Sequence, residues 1–436
     1  MKRKNLVRYF VLGVFGLAIA AGLTARGKAH QPRPNIILII VDALRADHLP
    51  VYGYHKNTAP FLKELARDAV VFERASSVAP LTAPSMASVF TSTYSFQHHV
   101  VSNSYDEDQS DDEEALKKIN KLPSGLLTLA EFLKNQGYRT YALSDNANIC
   151  CEMGFAAGFD RFKMMAYEGA ESVVDQLTAW SEEIRGREPY FLYVHFMDPH
   201  TRYHQRQPWF QEKRNPYAER VAAYDSEISY VDARLRELFY AFDWQDDDLI
   251  IFAADHGEEF KEHGHWGHGK NLYKEALHVP LMFSYPARIH PGRRHAFVST
   301  LDIFPTVCDI IGRPFPPQIA GHSLLPSLMD SDESSPRRPI YAYTRSFKDP
   351  FIPVAAVVHD GWKLILDNDT ASLLYDLNHD SRERRDVKND FPALVSAMEK
   401  LLQTYRAQCK EYKEEYGLIH PRGDAVKHMR ALGYLQ

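Results

Sequence analysis

The run at residues 35–41, NIILIIV, constrains this chain most: it is apolar after its first residue and ends on the carboxylate Asp42. A strand with no polar face must be covered on both sides, as strands of parallel α/β sheets are. Runs of the same kind recur at 138–143, 190–196, 249–254 and 279–284. Between them, 58–67, 128–136, 173–185 and 219–240 carry apolar residues at spacings of three and four, the helical period. The alternation predicts an α/β fold with a doubly wound, mostly parallel sheet flanked by helices.

Ligand sites in such sheets form beyond the carboxyl ends of the strands. Three predicted exits carry suitable side chains: Asp42 after Val41, Asp198 and His200 after Phe196, and Asp255-His256 after Ala254. From about residue 336 the pattern changes to short runs at 340–344, 355–358 and 362–366. An Asp360-Gly361 hairpin signal separates the last two, and a helical stretch follows at 391–412. The expected organisation is a catalytic α/β domain at 34–335 and a small α+β subdomain with a helical tail at 336–436.

Residues 1–30 stand apart, with Lys2, Arg3, Lys4 and Arg8 ahead of an apolar run at 9–23. That is the layout of a secretion signal, with Ala18-Ile19-Ala20 as a small-residue cleavage site. The run is short of the roughly 20 residues that span a bilayer. The chain therefore reads as exported, periplasmic or extracellular, by a cleaved signal or on a membrane anchor. A net charge of −6 offers no general field for nucleic acid. Cys150, Cys151, Cys308 and Cys409 show no zinc-type spacing and read as thiols. The acidic stretch 104–114 reads as a solvated loop, and 104–122 and 202–217 as segments shaping a pocket mouth.

Asp255-His256-Gly257 at a strand end is either a metal-ligand pair or a cap, with Gly257 permitting the backbone turn that aims both ligands at one ion. Asp42 is likewise a ligand or a helix cap. Thr82, in Ala79-Pro80-Leu81-Thr82-Ala83-Pro84-Ser85, is an N-cap threonine or a hydroxyl placed to attack an anion held at a helix N-terminus.

Taken in order, residues 35–42, Thr82-Ala83-Pro84-Ser85, 195–200, Asp255-His256-Gly257, 267–280 and Leu374-Tyr375-Asp376-Leu377 resemble the sulfatase family of the alkaline-phosphatase-like superfamily. The resemblance covers about 34–390. It implies that Asp42, Thr82, Asp255 and His256 hold one divalent ion. Thr82 would be the nucleophile, and His200, His268 and Lys270 would hold the transferred group's oxygens or assist the leaving group. Apart from the resemblance, Arg45 is either a substrate contact that neutralises charge on the non-bridging oxygens or a partner of Asp47 or a rim residue.

This sequence departs from the family pattern. Thr82 stands where formylglycine-forming Cys or Ser is usual, Met86 replaces an arginine, Ala43 a frequent Asp ligand, and His256 a frequent Asn. A threonine should not yield the aldehyde, so no formylglycine is expected and Thr82 would act directly, through a covalent intermediate. Two carboxylates and an imidazole favour Zn²⁺ or Mn²⁺, against the family's calcium habit. A second ion on Asp198, His200 and His268 is a further candidate. The expected activity is hydrolysis of a sulfate or phosphate ester of a small molecule, glycan or lipid. The alternatives are a phosphoethanolamine-type transferase and an inactive glycan-binding relative.

Overall fold

In a computed structural model of the chain, which describes residues 33–101, 121–269, 271–330, 337–345 and 353–412, the first apolar run is strand β1 (Ile36–Val41). All of its residues are buried. The 9–23 run and the 104–114 loop lie outside the described residues. Strands β2 (Ala69–Ser76), β3 (Arg139–Ser144), β4 (Arg161–Met164), β5 (Tyr190–Phe196) and β6 (Leu249–Ala254) follow. After the short antiparallel pair β7 (Glu259–Phe260) and β8 (Trp266–Gly267) come β9 (Leu281–Ser284) and β10 (Gly292–Ser299).

The main sheet has the order β10-β2-β9-β6-β1-β5-β3-β4, and only β9 runs antiparallel to its neighbours. The doubly wound, mostly parallel sheet is therefore present. Sequence periodicity missed β2, β4 and β10. Strand β2 carries Glu73-Arg74, β10 carries Arg293-Arg294, and β4 is a four-residue edge, so none reads as an apolar run.

Alternate residues of β1 enter different cores. Ile36, Leu38 and Ile40 pack with the helix Thr82–Thr91 through Ala83, Met86 and Phe90, whereas Ile37, Ile39 and Val41 pack with the helices Ala170–Arg185 and Pro216–Phe242. Burying each such side chain contributes about 2 kcal/mol, and two filled faces leave the strand a single register.

The C-terminal strands β11 (Ile340–Arg345), β12 (Pro353–His359), β13 (Trp362–Asp367) and β14 (Thr370–Asp376) form an antiparallel sheet that packs against the helix Pro392–Gln408. Asp360 (φ 48°) and Gly361 (φ 80°) turn between β12 and β13 in the left-handed region expected of that dipeptide. All of these elements belong to one compact unit, Asn35–Gln436. The four cysteines are unbridged. Among the described residues no helix is long and apolar enough to cross a membrane.

The segment that leaves β1 is tied to the helix Pro216–Phe242 by Asp225. This carboxylate lies 2.8 Å from His48 Nδ1 and accepts from the Tyr54 hydroxyl at 2.9 Å and Lys56 Nζ at 2.6 Å. Burial alone would raise its pKa, but His48 and Lys56 together hold it below the ordinary carboxylate range. A depressed folded pKa means that the stabilisation is complete above the unfolded value and is lost as pH falls through the folded one. Asp225→Asn is expected to destabilise by roughly 2 kcal/mol at pH 7, with the gap closing at pH 3. Urea unfolding of both proteins at the two pH values checks this, and a pH-independent gap would refute it.

Candidate active site

Four neighbouring parallel strands deliver the site. Val41 is in register with Ala254 on one side and Phe196 on the other, so Asp42 and Asp255 emerge next to each other. His195 lies opposite Ile40 of β1 and Ser144 of β3, and Asn146 follows two residues beyond Ser144. Strand parity selects the face. Ile40, Tyr193 and Ala253 point into the core that holds the helix Thr82–Thr91, and one further alternation gives Asp42, His195 and Asp255.

The chain turns sharply at Ala43, whose φ of 53° is a left-handed conformation costing about 1–3 kcal/mol for a residue with a Cβ. The neighbouring polar groups hold it there: Ala43 N–H donates to Asp255 Oδ1 at 3.1 Å, and its carbonyl accepts from the Tyr224 hydroxyl at 2.7 Å.

Thr82 Oγ1 sits at the start of its helix, 3.3 Å from Asp42 Oδ2, 3.4 Å from His256 Nε2 and 3.3 Å from Asn146 Nδ2. Asn146 is oriented by Asn148 N–H, which donates to its Oδ1, so that its Nδ2 donates to Asp42 Oδ2 at 2.5 Å. His195 Nε2 lies 3.1 Å from the same carboxylate oxygen, with the Tyr193 hydroxyl 2.6 Å from Nδ1 fixing the ring. Neither His195 nor Asn146 is singled out by the sequence reading. His195 hides inside an otherwise apolar strand, and Asn146 follows a strand whose exit was overlooked; the strand-end rule applied to β3 would have found it.

The donor set fits a divalent cation. Asp42, His195 and Asp255 each offer one ligand atom, all within 4.8 Å of one another. His256 Nε2 faces both carboxylates, 3.7 Å from Asp42 Oδ1 and 3.5 Å from Asp255 Oδ2. Those two oxygens are buried without a hydrogen-bond partner. Two adjacent, fully buried carboxylates repel, and burial followed by the Asp42 charge pushes Asp255 up. Burial also acts against ionised Asp42, yet its hydrogen bond with His195 and the neighbouring imidazoles hold it low. A cation between the pair would relieve both the repulsion and the orphaned oxygens.

His200 and His268 stand beside this centre, with the His268 ring 4.3 Å from that of His256 and 4.9 Å from that of His200, centroid to centroid. Their environments differ. His200 Nδ1 donates to the Thr201 carbonyl at 2.6 Å, and burial pushes its pKa down to about 4. His268 Nδ1 donates to Glu258 Oε1 at 3.1 Å, and although burial opposes charge, Glu258 raises its pKa above the ordinary imidazole value.

Two expected contacts are placed elsewhere. The Arg45 guanidinium, expected at the substrate, is buried and bonded to Asp47, to Glu262 and to the Glu258 carbonyl, because these acceptors surround it on leaving β1. Asp198, offered above as a second-ion ligand with His200 and His268, is held instead by Arg206 at 3.0 Å. Lys270 lies outside the described residues. Met86, at the position of the family's arginine, is fully buried in the apolar core.

The Sulfatase family model matches residues 34–312, which include every strand that builds this site. The chain belongs to the sulfatase family. Residues 261–409 also match the C-terminal region model of N-sulphoglucosamine sulphohydrolase. Choline-sulfatase of Rhizobium meliloti is 23% identical over 80% of this chain and 81% of its own length. Arylsulfatase K of Gallus gallus is 33% identical over 42% of this chain, a match that spans 36% of arylsulfatase K. Among solved structures, phosphonate monoester hydrolase of Agrobacterium radiobacter superposes with a TM-score of 0.67 at 21% identity, covering 86% of this chain and 96% of that one. A 2-O GAG sulfatase superposes with a TM-score of 0.70 at 19% identity, covering 88% and 99%. These likenesses show the alkaline-phosphatase-like fold.

Gly257 serves the site differently from the expectation above. Its φ is not positive; a Cβ there would meet the Glu275 carbonyl oxygen at 2.0 Å, so the glycine is needed for a close backbone approach beside His256. Gly257→Ala is expected to cost at least about 2 kcal/mol and to displace Asp255-His256. Gly264→Ala, at φ 94° in open space, should cost only about 1 kcal/mol. Thermal unfolding of the two variants side by side would refute this if Gly257→Ala were the milder one.

Proposed function

We propose that this sulfatase-family protein hydrolyses a sulfate or phosphorus ester, with Thr82 as nucleophile and a divalent cation on Asp42, Asp255, His256 and the Thr82 oxygen. The observation that carries the reading is the hydroxyl of Thr82 set among Asp42, His256 and Asn146 at 3.3–3.4 Å, beside two buried carboxylate oxygens that lack partners. His195 is a further candidate ligand or an orienting donor to Asp42, according to its tautomer. When bound, the cation lowers the proton affinity of the Thr82 hydroxyl and polarises the ester oxygens.

Thr82 Oγ1 attacks the sulfur or phosphorus while its proton leaves toward Asp42 Oδ2. The bond to the leaving oxygen breaks as His268, kept protonated by Glu258, supplies a proton to that oxygen from Nε2. The sulfo- or phospho-threonine is then cleaved by water, whose proton goes to neutral His268 while Asp42 returns its proton to Thr82 Oγ1, restoring both groups and releasing the sulfate or the phosphorus-acid product. His200, with Nδ1 committed to a carbonyl, presents an unprotonated Nε2 to the same space. The choline-sulfatase and phosphonate monoester hydrolase likenesses support both sulfur and phosphorus as reaction centres. Export by residues 1–30 places the enzyme outside the cytoplasm under this reading.

Turnover of matched aryl sulfate, phosphate monoester and phosphate diester tests the assignment. Thr82→Ala should lose at least about 10³-fold in kcat, and chelation should abolish wild-type turnover, with Mn²⁺ or Zn²⁺ restoring it. Activity indifferent to Thr82 would overturn the mechanism. A second expectation concerns pH. His268 works protonated, so activity falls as pH rises through its raised pKa, and Glu258→Gln should move that alkaline limb to lower pH. A pH–rate profile unchanged by Glu258→Gln would exclude His268 as the acid.

A further inference from the structure

Two histidines face the buried carboxylate pair, and the group at Nδ1 of each sets what its Nε2 can do. In His256, Nδ1 lies 2.9 Å from the Gly257 carbonyl oxygen, which can only accept, so Nδ1 carries the proton. In the neutral ring Nε2 is then a lone pair, 3.7 Å from Asp42 Oδ1 and 3.5 Å from Asp255 Oδ2. Those are the two oxygens that have no hydrogen-bond partner. Acceptors turned toward one another in this way suit a cation.

His195 is the opposite case. Its Nδ1 lies 2.6 Å from the Tyr193 hydroxyl. Tyr193 is fully buried, and among the described residues that ring nitrogen is the one hydrogen-bond partner of its hydroxyl. Burial, with the charges of Asp255 and Asp42, keeps the phenol protonated. A buried phenol proton needs an acceptor, and a proton on Nδ1 would remove the acceptor at hand. The hydroxyl therefore donates to Nδ1, and the ring proton sits on Nε2, 3.1 Å from Asp42 Oδ2. The same oxygen accepts from Asn146 Nδ2 at 2.5 Å and from Thr82 Oγ1 at 3.3 Å. The two oxygens of Asp42 are thus divided: Oδ2 collects N–H and O–H donors, while Oδ1 is left open beside Asp255 Oδ2 and His256 Nε2. Distance alone would count His195 among the ligands, since one of its ring nitrogens falls within 4.8 Å of an oxygen of each carboxylate. A nitrogen that carries a proton, however, has no lone pair for an ion.

We infer that Tyr193 is a positioning residue of the metal centre: its hydroxyl fixes His195 as an Nε2–H donor to Asp42 Oδ2, outside the ligand set, which aims Asp42 Oδ1 at the ion. The inference rests on the reading above for the presence of that ion. Its test uses the full chain and no turnover. In the metal-free chain with isotope-labelled histidine rings, nitrogen–proton correlation NMR reports which nitrogen of His195 is protonated, its signal being the one lost in His195→Gln. A proton on Nε2 is expected, and a proton on Nδ1 overturns the inference. Zn²⁺ affinity, measured by calorimetry against a competing chelator, reads the positioning. His195→Leu, which removes the donor, should weaken Zn²⁺ binding by about 10–100-fold, and Tyr193→Phe by about tenfold. His195→Gln, whose amide N–H replaces the imidazole donor, should recover most of the loss seen with leucine. Melting curves show whether each variant is folded. Equal losses in the leucine and glutamine variants, or no loss in Tyr193→Phe, overturn the inference. X-ray absorption by the Zn²⁺-loaded wild type should show scattering from one imidazole, that of His256. Two imidazoles would make His195 a ligand and overturn this inference alone, whereas a wild type that binds no ion brings down the metal-dependent hydrolase reading and the inference with it.

Discussion

Two carboxylates that would repel each other in the dry interior are the constraint around which this structure is organised. Asp42 and Asp255 are fully buried at the ends of adjacent strands, each with an oxygen lacking a hydrogen-bond partner. Their closeness follows from the register of β1 and β6, which two apolar cores fix so firmly that the strands cannot slide to separate the charges. The fold thus holds an electrostatically unfavourable arrangement that a cation would make favourable.

The polar groups around the pair each hold one degree of freedom. Asp255 anchors the strained Ala43, Asn146 and His195 hold one oxygen of Asp42, and the Tyr224 hydroxyl bridges the Ala43 carbonyl and the Arg45 amide. Arg45 then binds the Glu258 carbonyl and Glu262, while the Glu258 side chain holds His268. An arginine away from the reacting atoms is therefore connected to the group proposed as the acid.

His200 and His268 show how the same side chain takes opposite roles. They lie near one another, yet one gives its Nδ1 proton to a carbonyl and the other to a carboxylate, which separates their affinities for a second proton. The C-terminal sheet extends the catalytic loop on the far side through Thr344 and Gly269, so the small subdomain contributes to the surroundings of the site as well as to packing.

Much of this was legible in the sequence because it depends on local pattern. Apolar runs announce central strands, and β5 and β6 fall at the predicted limits. Asp42, Thr82, Asp255 and His256 stand at the ends of such elements in family order, and the structure brings them together. The charged strands β2 and β10 were invisible, since β10 is an edge strand and part of each strand reaches solvent. His195, Asn146 and the partner set of Arg45 could not be read either. Which neighbour a strand takes, and which acceptor a guanidinium meets, are decided by contacts between residues more than a hundred positions apart. The sequence by itself determined the layers, the strand ends and the kind of chemistry they carry. Only the tertiary structure decided which side chains share the site, because register and close packing, rather than local propensity, set distances between residues far apart in the chain.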